Sequence, residues 1–393
     1  MTLVAPSGHG AYVPPASTYR FTFFVLVSGL ACSSTSTGEV TPNGGGAAAL
    51  AGTGGAVTSA GTTNATGGAG AAGAAGSATA PGGSGGAGGA GGAGGGSASA
   101  GAAGMATTGI TCAPSSDGNG THEQPGPYGA PPEATVKAGV PTGKLSALTP
   151  FQSTIYDHVF GYQIYVPAQY KAGQRAVFML VEDGPSHYLG KNSDAKFFTD
   201  KVLDNLIAEG TIPVTIALFV DPCMQPCEDQ RVVIYDDATD KYARFVTEEL
   251  LPGAITGKYS LVDDPDARLA VGFSAGAEQS FTVMWNRPVF HKFIGHNTSF
   301  PAAKDHGVDY AALVPQTPNK GFRVALTSGT MDLSDARGNW LESNTQMAKV
   351  LTDKGYPVRF MTGTGGHYPP DQSAMDFPNG LRWMWQGCKL SDY

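Results

Sequence analysis

The stretch Arg268-Leu269-Ala270-Val271-Gly272-Phe273-Ser274-Ala275-Gly276-Ala277-Glu278-Gln279-Ser280-Phe281-Thr282-Val283-Met284-Trp285 decides how the chain is read. Its start reads as a buried strand, and its second half, from Ala277 to Trp285, reads as a helix. Between them, Gly272-x-Ser274-x-Gly276 places small residues around a serine, so a strand-to-helix elbow closes without a clash. A serine hydroxyl is a poor nucleophile until a base takes its proton, so this chemistry wants the serine exposed on a tight turn beside a histidine. The pentapeptide alone is weak. It recurs as Gly82-Gly83-Ser84-Gly85-Gly86, in a glycine-rich stretch where it is accidental. The flanking strand and helix single out Ser274 as the candidate nucleophile.

Outward from the elbow, short apolar runs recur at 176–181, 214–220, 324–326 and 358–361. Helical patterns separate them at Phe197–Glu209, Asp240–Leu251 and Asn339–Asp353. Apolar strands alternating with amphipathic helices predict a mainly parallel, doubly wound α/β sheet covered on both faces. Ahead of it, Ser153-Thr154-Ile155-Tyr156 and 161–167 carry the alternation of paired strands.

An elbow serine in such a sheet expects an acid and then a histidine on loops after later strands. Strand 323–328 runs into Gly329-Thr330-Met331-Asp332, which makes Asp332 the candidate acid and Asp335, on the same loop, the runner-up. The next strand runs into Gly363-Thr364-Gly365-Gly366-His367, and no other histidine follows His306. His367 is therefore the candidate base. His291, His296 and His306 precede the acid and are read as structural or substrate-side residues. Oxyanion donors are expected from the N–H of Ala275 and from the loop Glu182-Asp183-Gly184-Pro185-Ser186. Pro185 has no N–H, so the second donor is Gly184 or Ser186, with Gly184 preferred. Tyr188, Trp340 and Asn339 lie near these loops and are candidate substrate contacts. The chemistry calls for no cofactor and no metal.

The charge of -8 lies wholly in the folded part, since Arg20 and Glu39 are the only charged side chains before Asp117. An acidic domain without a basic run argues against nucleic-acid binding. Of 56 glycines, 25 fall between Gly44 and Gly104, in a stretch with neither core side chains nor a period. The expected organisation is an export signal over 1–32, a disordered linker over 33–111 and a catalytic domain over 112–393. As a flexible coil the 61 residues from Gly44 to Gly104 span about 45 Å root-mean-square. Arg20 followed by the apolar run 21–27 and Ala31-Cys32 resembles a bacterial lipoprotein signal, with Cys32 as the lipidated residue and the only membrane attachment. Ordinary cleavage and secretion, or a retained terminus, are the alternatives. Gly29 stands where such signals usually carry leucine. Outside the signal, Cys112, Cys223, Cys227 and Cys388 form an even set in a chain expected to leave the cytoplasm. Of three possible pairings, 112–388 with 223–227 is favoured; a zinc site would want a second close pair of ligands.

Together these stretches carry a family likeness. The domain from about Tyr162 to Gln386 resembles the esterase family that includes enterochelin esterases and esterase D, in particular exported bacterial members. The likeness rests on Val181-Glu182-Asp183-Gly184, on 202–207, on Tyr242-Ala243-Arg244-Phe245 and on Gly272 to Gly276. It continues through Gly338-Asn339-Trp340, Gly365-Gly366-His367 and 381–385. It implies an α/β-hydrolase fold and carboxylic-ester hydrolysis by Ser274, Asp332 and His367. Two departures stand out. Relatives commonly carry Arg-x-x-Glu-Tyr where this chain has Arg231-Val232-Val233-Ile234-Tyr235. The elbow reads Ser-Ala-Gly-Ala where relatives often have Ser-Ser-Gly-Gly. Expected substrates are small-molecule or polysaccharide esters, with acyl esters of carbohydrates ahead of siderophore trilactones because of the exported location. Acyl transfer to a sugar and a non-catalytic surface-binding protein are the rival readings.

Overall fold

The sheet is built on strands that alternate between two cores. In Val177–Glu182, Phe178 and Leu180 enter one apolar cluster while Val177, Met179 and Val181 enter another. Thr215–Asp221 repeats this, with Ile216, Leu218 and Val220 on one face and Ala217 and Phe219 on the other. Successive side chains of a strand point to opposite faces, so a strand that is apolar throughout must be covered on both.

The protein is described here by a computed structural model covering residues 109–113, 115–190, 196–224 and 228–390. The proposed signal, Cys32, nearly all of the linker, and Cys227 lie outside these described residues. Strands are numbered β1 (Ile110–Cys112), β2 (Gly120–Gln124), β3 (Lys144–Leu145), β4 (Thr149–Ser153), β5 (His158–Val166) and β6 (Val177–Glu182). They continue as β7 (Thr215–Asp221), β8 (Arg268–Phe273), β9 (Lys292–His296), β10 (Arg323–Thr327), β11 (Val358–Gly363) and β12 (Cys388–Leu390). The main helices are α1 (Thr199–Ala208), α2 (Glu228–Tyr235), α3 (241–254), α4 (Ala275–Asn286), α5 (Phe300–Asp305), α6 (Tyr310–Gln316), α7 (Trp340–Asp353) and α8 (Asp371–Trp385).

Among the described residues the main sheet has ten strands in the order β2-β11-β10-β9-β8-β6-β7-β5-β3, with β4 also paired to β5. From β2 to β7 every pairing is parallel, whereas β5 runs antiparallel to β7, β3 and β4. α3, α4 and α7 cover one face; α1 and α8 cover the other. Each fully buried Leu, Val or Phe at these faces contributes about 1.5–3 kcal/mol. This is an α/β-hydrolase fold. All parallel strands end at one edge, and the loops leaving β6, β8, β10 and β11 gather there.

Two expectations are corrected. The strand expected at 153–156 ends at Ser153, and residues 154–157 form the turn between β4 and β5. The Glu249 carboxylate explains this, accepting from Ser153 Oγ at 2.6 Å, Thr154 N–H at 3.0 Å and Ile155 N–H at 3.2 Å. Those backbone donors are taken from any ladder. At the other end, the domain starts before residue 112, because Ile110 and Thr111 already pair with Leu390 and Lys389.

Cys112 and Cys388 are opposed in that pairing and disulfide-bonded, as the favoured connectivity expects. Cys223 is also disulfide-bonded. At the far end of β6, Glu182 is fully buried and its Oε2 accepts from Tyr235 Oη at 3.1 Å and Tyr242 Oη at 2.5 Å. Burial pushes its carboxyl up to about 8, against the pull of the two tyrosine hydroxyls.

Two outcomes follow for stability. The 112–388 bridge closes a separation of 276 residues, so reducing it or replacing both cysteines by serine lowers the unfolding free energy by about 2–5 kcal/mol. Thermal unfolding with and without reductant reads the loss, and an unchanged midpoint refutes it. Between the ordinary 4.5 and about 8, the folded chain keeps a proton on Glu182 that the unfolded chain has released. Stability therefore falls as pH rises through that window, by up to about 1.4 kcal/mol per pH unit from this group. Glu182→Gln keeps an acceptor for both tyrosines and flattens the slope. Urea unfolding at unit steps of pH across the window measures this; a slope equal to that of the parent protein contradicts it.

Candidate active site

The elbow forms because β8 ends against the start of α4 with no room for side chains at two positions. A Cβ on Gly272 would run into the backbone of Gly276 and Ala277, and one on Gly276 would lie 2.7 Å from Asp183 Oδ2. Ser274 between them sits at φ 56° and ψ -123°, a strained conformation for a non-glycine residue. Backbone hydrogen bonds fix it from both sides. Its N–H donates to the His296 carbonyl at 2.9 Å, and its own carbonyl accepts from Ala277 and Glu278 at 3.1 Å and Ser299 at 3.2 Å.

Ser274 Oγ lies 2.9 Å from His367 Nε2, and His367 Nδ1 lies 2.6 Å from Asp332 Oδ1. The three expected residues are thus brought into one hydrogen-bonded line. The acid and histidine loops are laced together, since Met331 N–H donates to the Gly365 carbonyl and Thr330 N–H to that of Gly363. Asp332 Oδ1 also accepts from the N–H of Leu333 at 2.8 Å, and Oδ2 accepts from Ser328 Oγ at 2.6 Å and Asn297 Nδ2 at 2.7 Å. Burial pushes the Asp332 carboxyl up, but the donors, led by His367 and Ser328, outweigh it and hold it below the usual carboxylate range. An ionised Asp332 accepting from Nδ1–H leaves Nε2 of a neutral imidazole as the acceptor for the Ser274 proton.

Ala275 is the first residue of α4, so its N–H belongs to the unpaired set that a helix start leaves over. Gly184 opens a π-type turn over Gly184–Tyr188, behind Asp183 at φ 54°. Arg231 grips the Asp183 carboxylate at two points, 3.0 and 2.6 Å, and the Asp183 N–H donates to Tyr235 Oη at 3.3 Å. Asp183 in turn lies against Gly276 of the elbow helix. The retained Arg and Tyr of the departing Arg231–Tyr235 motif therefore fasten the loop that carries Gly184, while Ile234 is buried in the core. In Ser186 the hydroxyl meets Asp221 Oδ1 at 3.0 Å.

The remaining candidates differ in their surroundings. Tyr188 is fully buried, its ring against Phe197 and Phe377 and its hydroxyl 2.7 Å from His296 Nδ1, so it is a core residue. Asn339, half-buried, caps α7, its Oδ1 accepting from Glu342 N–H at 3.0 Å. Asp335 is exposed and paired with Arg337 at 2.6 Å, away from the histidine that Asp332 holds. Trp340 does reach the site, but buried: its ring centroid is 6.2 Å from that of His367, and Nε1 donates to Ser299 Oγ at 3.2 Å.

Of the earlier histidines, His296 is buried, and burial, with Arg359 nearby, pushes its imidazole down to about 3. His291 pairs with Asp266. Sequence reasoning missed Asn297, Ser299 and Ser328. Each is a small polar residue just past the end of β9 or β10, and that position was the available signal.

A match to the protein family described as "Putative esterase" runs over residues 153–371. No curated protein matches the chain. Among solved structures, the ferric enterobactin esterase from Salmonella typhimurium is 16% identical at a TM-score of 0.50, covering 62% of this chain and 59% of that one. The enterobactin esterase from Shigella flexneri is 16% identical at a TM-score of 0.50, covering 66% of this chain and 60% of that one. A ferulic acid esterase is 17% identical at a TM-score of 0.49, covering 62% of this chain and 98% of that one. The chain thus spans about 60% of the length of the two enterobactin esterases, and at such identities the likeness is one of fold. The family match takes in more than half of the 393 residues, so the chain belongs to the family described as "Putative esterase" and is a carboxylic-ester hydrolase.

Proposed function

We propose that the chain hydrolyses esters through Ser274, His367 and Asp332, outside the cytoplasm, on acyl esters of carbohydrates or other small esters. The observation that carries the triad is the continuous line of hydrogen bonds at 2.9 and 2.6 Å from Ser274 Oγ through His367 to Asp332. In this reading Ser274 Oγ attacks the acyl carbon while its proton passes to His367 Nε2, and the carbonyl electron pair moves onto oxygen. The N–H groups of Ala275 and Gly184 receive that oxyanion. His367 then gives its proton to the departing alcohol. Water enters, loses a proton to the same nitrogen, and releases the acid and Ser274. Asp332 keeps the imidazole in one tautomer and stabilises its cation.

The substrate reading is supported by the rim. The alcohol leaves on the side of His367, where Tyr368 is 60% and Met331 74% exposed. Tyr368 stands edge-on to His367, with ring centroids 4.9 Å apart. An exposed aromatic ring beside the leaving group suits the apolar face of a sugar. The exported location rests on the Arg20–Cys32 segment and is supported by the 112–388 disulfide, a bond that persists in oxidising compartments. Anchorage through Cys32 belongs to the same proposal.

A fluorophosphonate probe should label the intact protein at one site and leave Ser274→Ala unlabelled, with kcat on a small ester falling by roughly a million-fold. Absence of labelling in the parent protein overturns the triad. Acetylated xylan, methyl ferulate and a catecholate trilactone, assayed side by side without an acyl acceptor, test the substrate class. The expected order puts one of the first two ahead of the trilactone by about tenfold or more in kcat/KM. The reverse order assigns the chain to siderophore lactones, and turnover only with an added sugar acceptor assigns it to acyl transfer.

A further inference from the structure

We propose that Ser299 is a second catalytic hydroxyl, donating to the Ser274 oxygen in a one-way hydrogen-bonded chain that begins at the Trp340 indole and ends at Asp332. The inference rests on the triad reading above and extends it by one residue that touches the reacting atom.

Ser299 precedes α5, where a serine ordinarily turns its hydroxyl onto the N–H groups of its own helix. Here it makes no such cap. Its Oγ lies instead 3.2 Å from Ser274 Oγ and accepts from Trp340 Nε1 at 3.2 Å. Its backbone N–H donates to the Ser274 carbonyl, so the same residue holds the strained elbow and meets the nucleophile. Ser299 and Trp340 are both buried, which leaves no solvent to compete for these bonds.

The direction of the chain follows from its ends. An indole nitrogen only donates, and an ionised carboxylate only accepts. Trp340 uses one lone pair of Ser299 Oγ, and because the single Ser274 proton is directed to His367 Nε2, the bond between the two hydroxyls is made by the Ser299 proton. The Ser274 proton points to His367 Nε2, and the proton on Nδ1 points to Asp332. Each hydroxyl donates once, and the nucleophile is held with its proton aimed at the base and a lone pair directed away from it.

During acylation Ser274 Oγ bonds to the acyl carbon, its proton moves to His367 Nε2, and the carbonyl pair settles on the oxyanion. During deacylation Oγ leaves with the electron pair of the C–O bond and takes the proton back. Charge builds on Oγ in both half-reactions, and the Ser299 donor meets it each time. The contribution falls on kcat and on the reaction with phosphonate, because no part of the bound ester needs Ser299 for its affinity.

The test compares fluorophosphonate labelling rates with kcat and KM on a small nitrophenyl ester. Ser299→Ala should slow both labelling and kcat by about ten- to thirtyfold, with KM within about twofold. Trp340→Phe should cost about threefold, and the double variant should be no slower than Ser299→Ala alone, since the chain is already broken. Parent rates in Ser299→Ala overturn the proposal, as do losses that simply multiply in the double variant. If Ser299→Ala does not fold by circular dichroism, Ser299→Cys keeps the shape with a weak donor and carries the same test; parent rates there overturn the proposal equally. A parent protein that resists labelling removes the triad and this inference together. A labelled parent with unaffected Ser299 variants removes this inference alone.

Discussion

Everything at the site depends on one strained residue. A serine at φ 56° is tolerated only where its surroundings leave no alternative, and here four backbone hydrogen bonds and two glycines leave none. The strain raises Oγ off the end of β8 toward the loops of the neighbouring strands. β9 supplies the carbonyl that takes the Ser274 N–H and then, one turn later, Ser299. The loops after β10 and β11 supply Asp332 and His367. Because β8, β9, β10 and β11 are adjacent and parallel, their ends are neighbours in space although Ser274 and His367 are 93 residues apart in sequence.

The other side of the elbow is governed by buried charge. Glu182 and Asp183 are consecutive and both buried, an arrangement that is costly if both are ionised without partners. The chain divides the problem. Glu182 is kept protonated at neutral pH by burial and accepts from two tyrosines. Asp183 is matched to Arg231 in a two-point contact with hardly any solvent. The pairing fixes the loop whose next residue is Gly184, so the electrostatics of the core and the placement of that loop are one piece of structure.

The hydrogen-bonded line of Ser274, His367 and Asp332 was legible because its signals are ordered: an elbow, then an acidic residue past a strand, then a histidine past the next. β9 was not. Its residues Lys292-Phe293-Ile294-Gly295-His296 break an apolar run with a lysine, yet Lys292 is buried, its ammonium 2.6 Å from the Asp266 carbonyl, and burial pulls it down to about 8. α8 was hidden by Pro378 within it. Its buried Phe377, Leu381 and Met384 face the sheet, and packing overrides the local penalty. Tyr188 was misread for a related reason. Nearness in sequence to a site loop says nothing about which way a ring points, and the π-type turn aims this one inward.

The departure at Ile234 gains a physical meaning from the same geometry. In the five residues 231–235 the two ends reach the site loop, with Arg231 on Asp183 and Tyr235 on Glu182, while Ile234 faces the apolar cluster and Val232 and Val233 face solvent. The loop lock needs only the arginine and the tyrosine. The segment therefore separates into two ends that hold the loop carrying Gly184 and a residue, Ile234, that packs into the core.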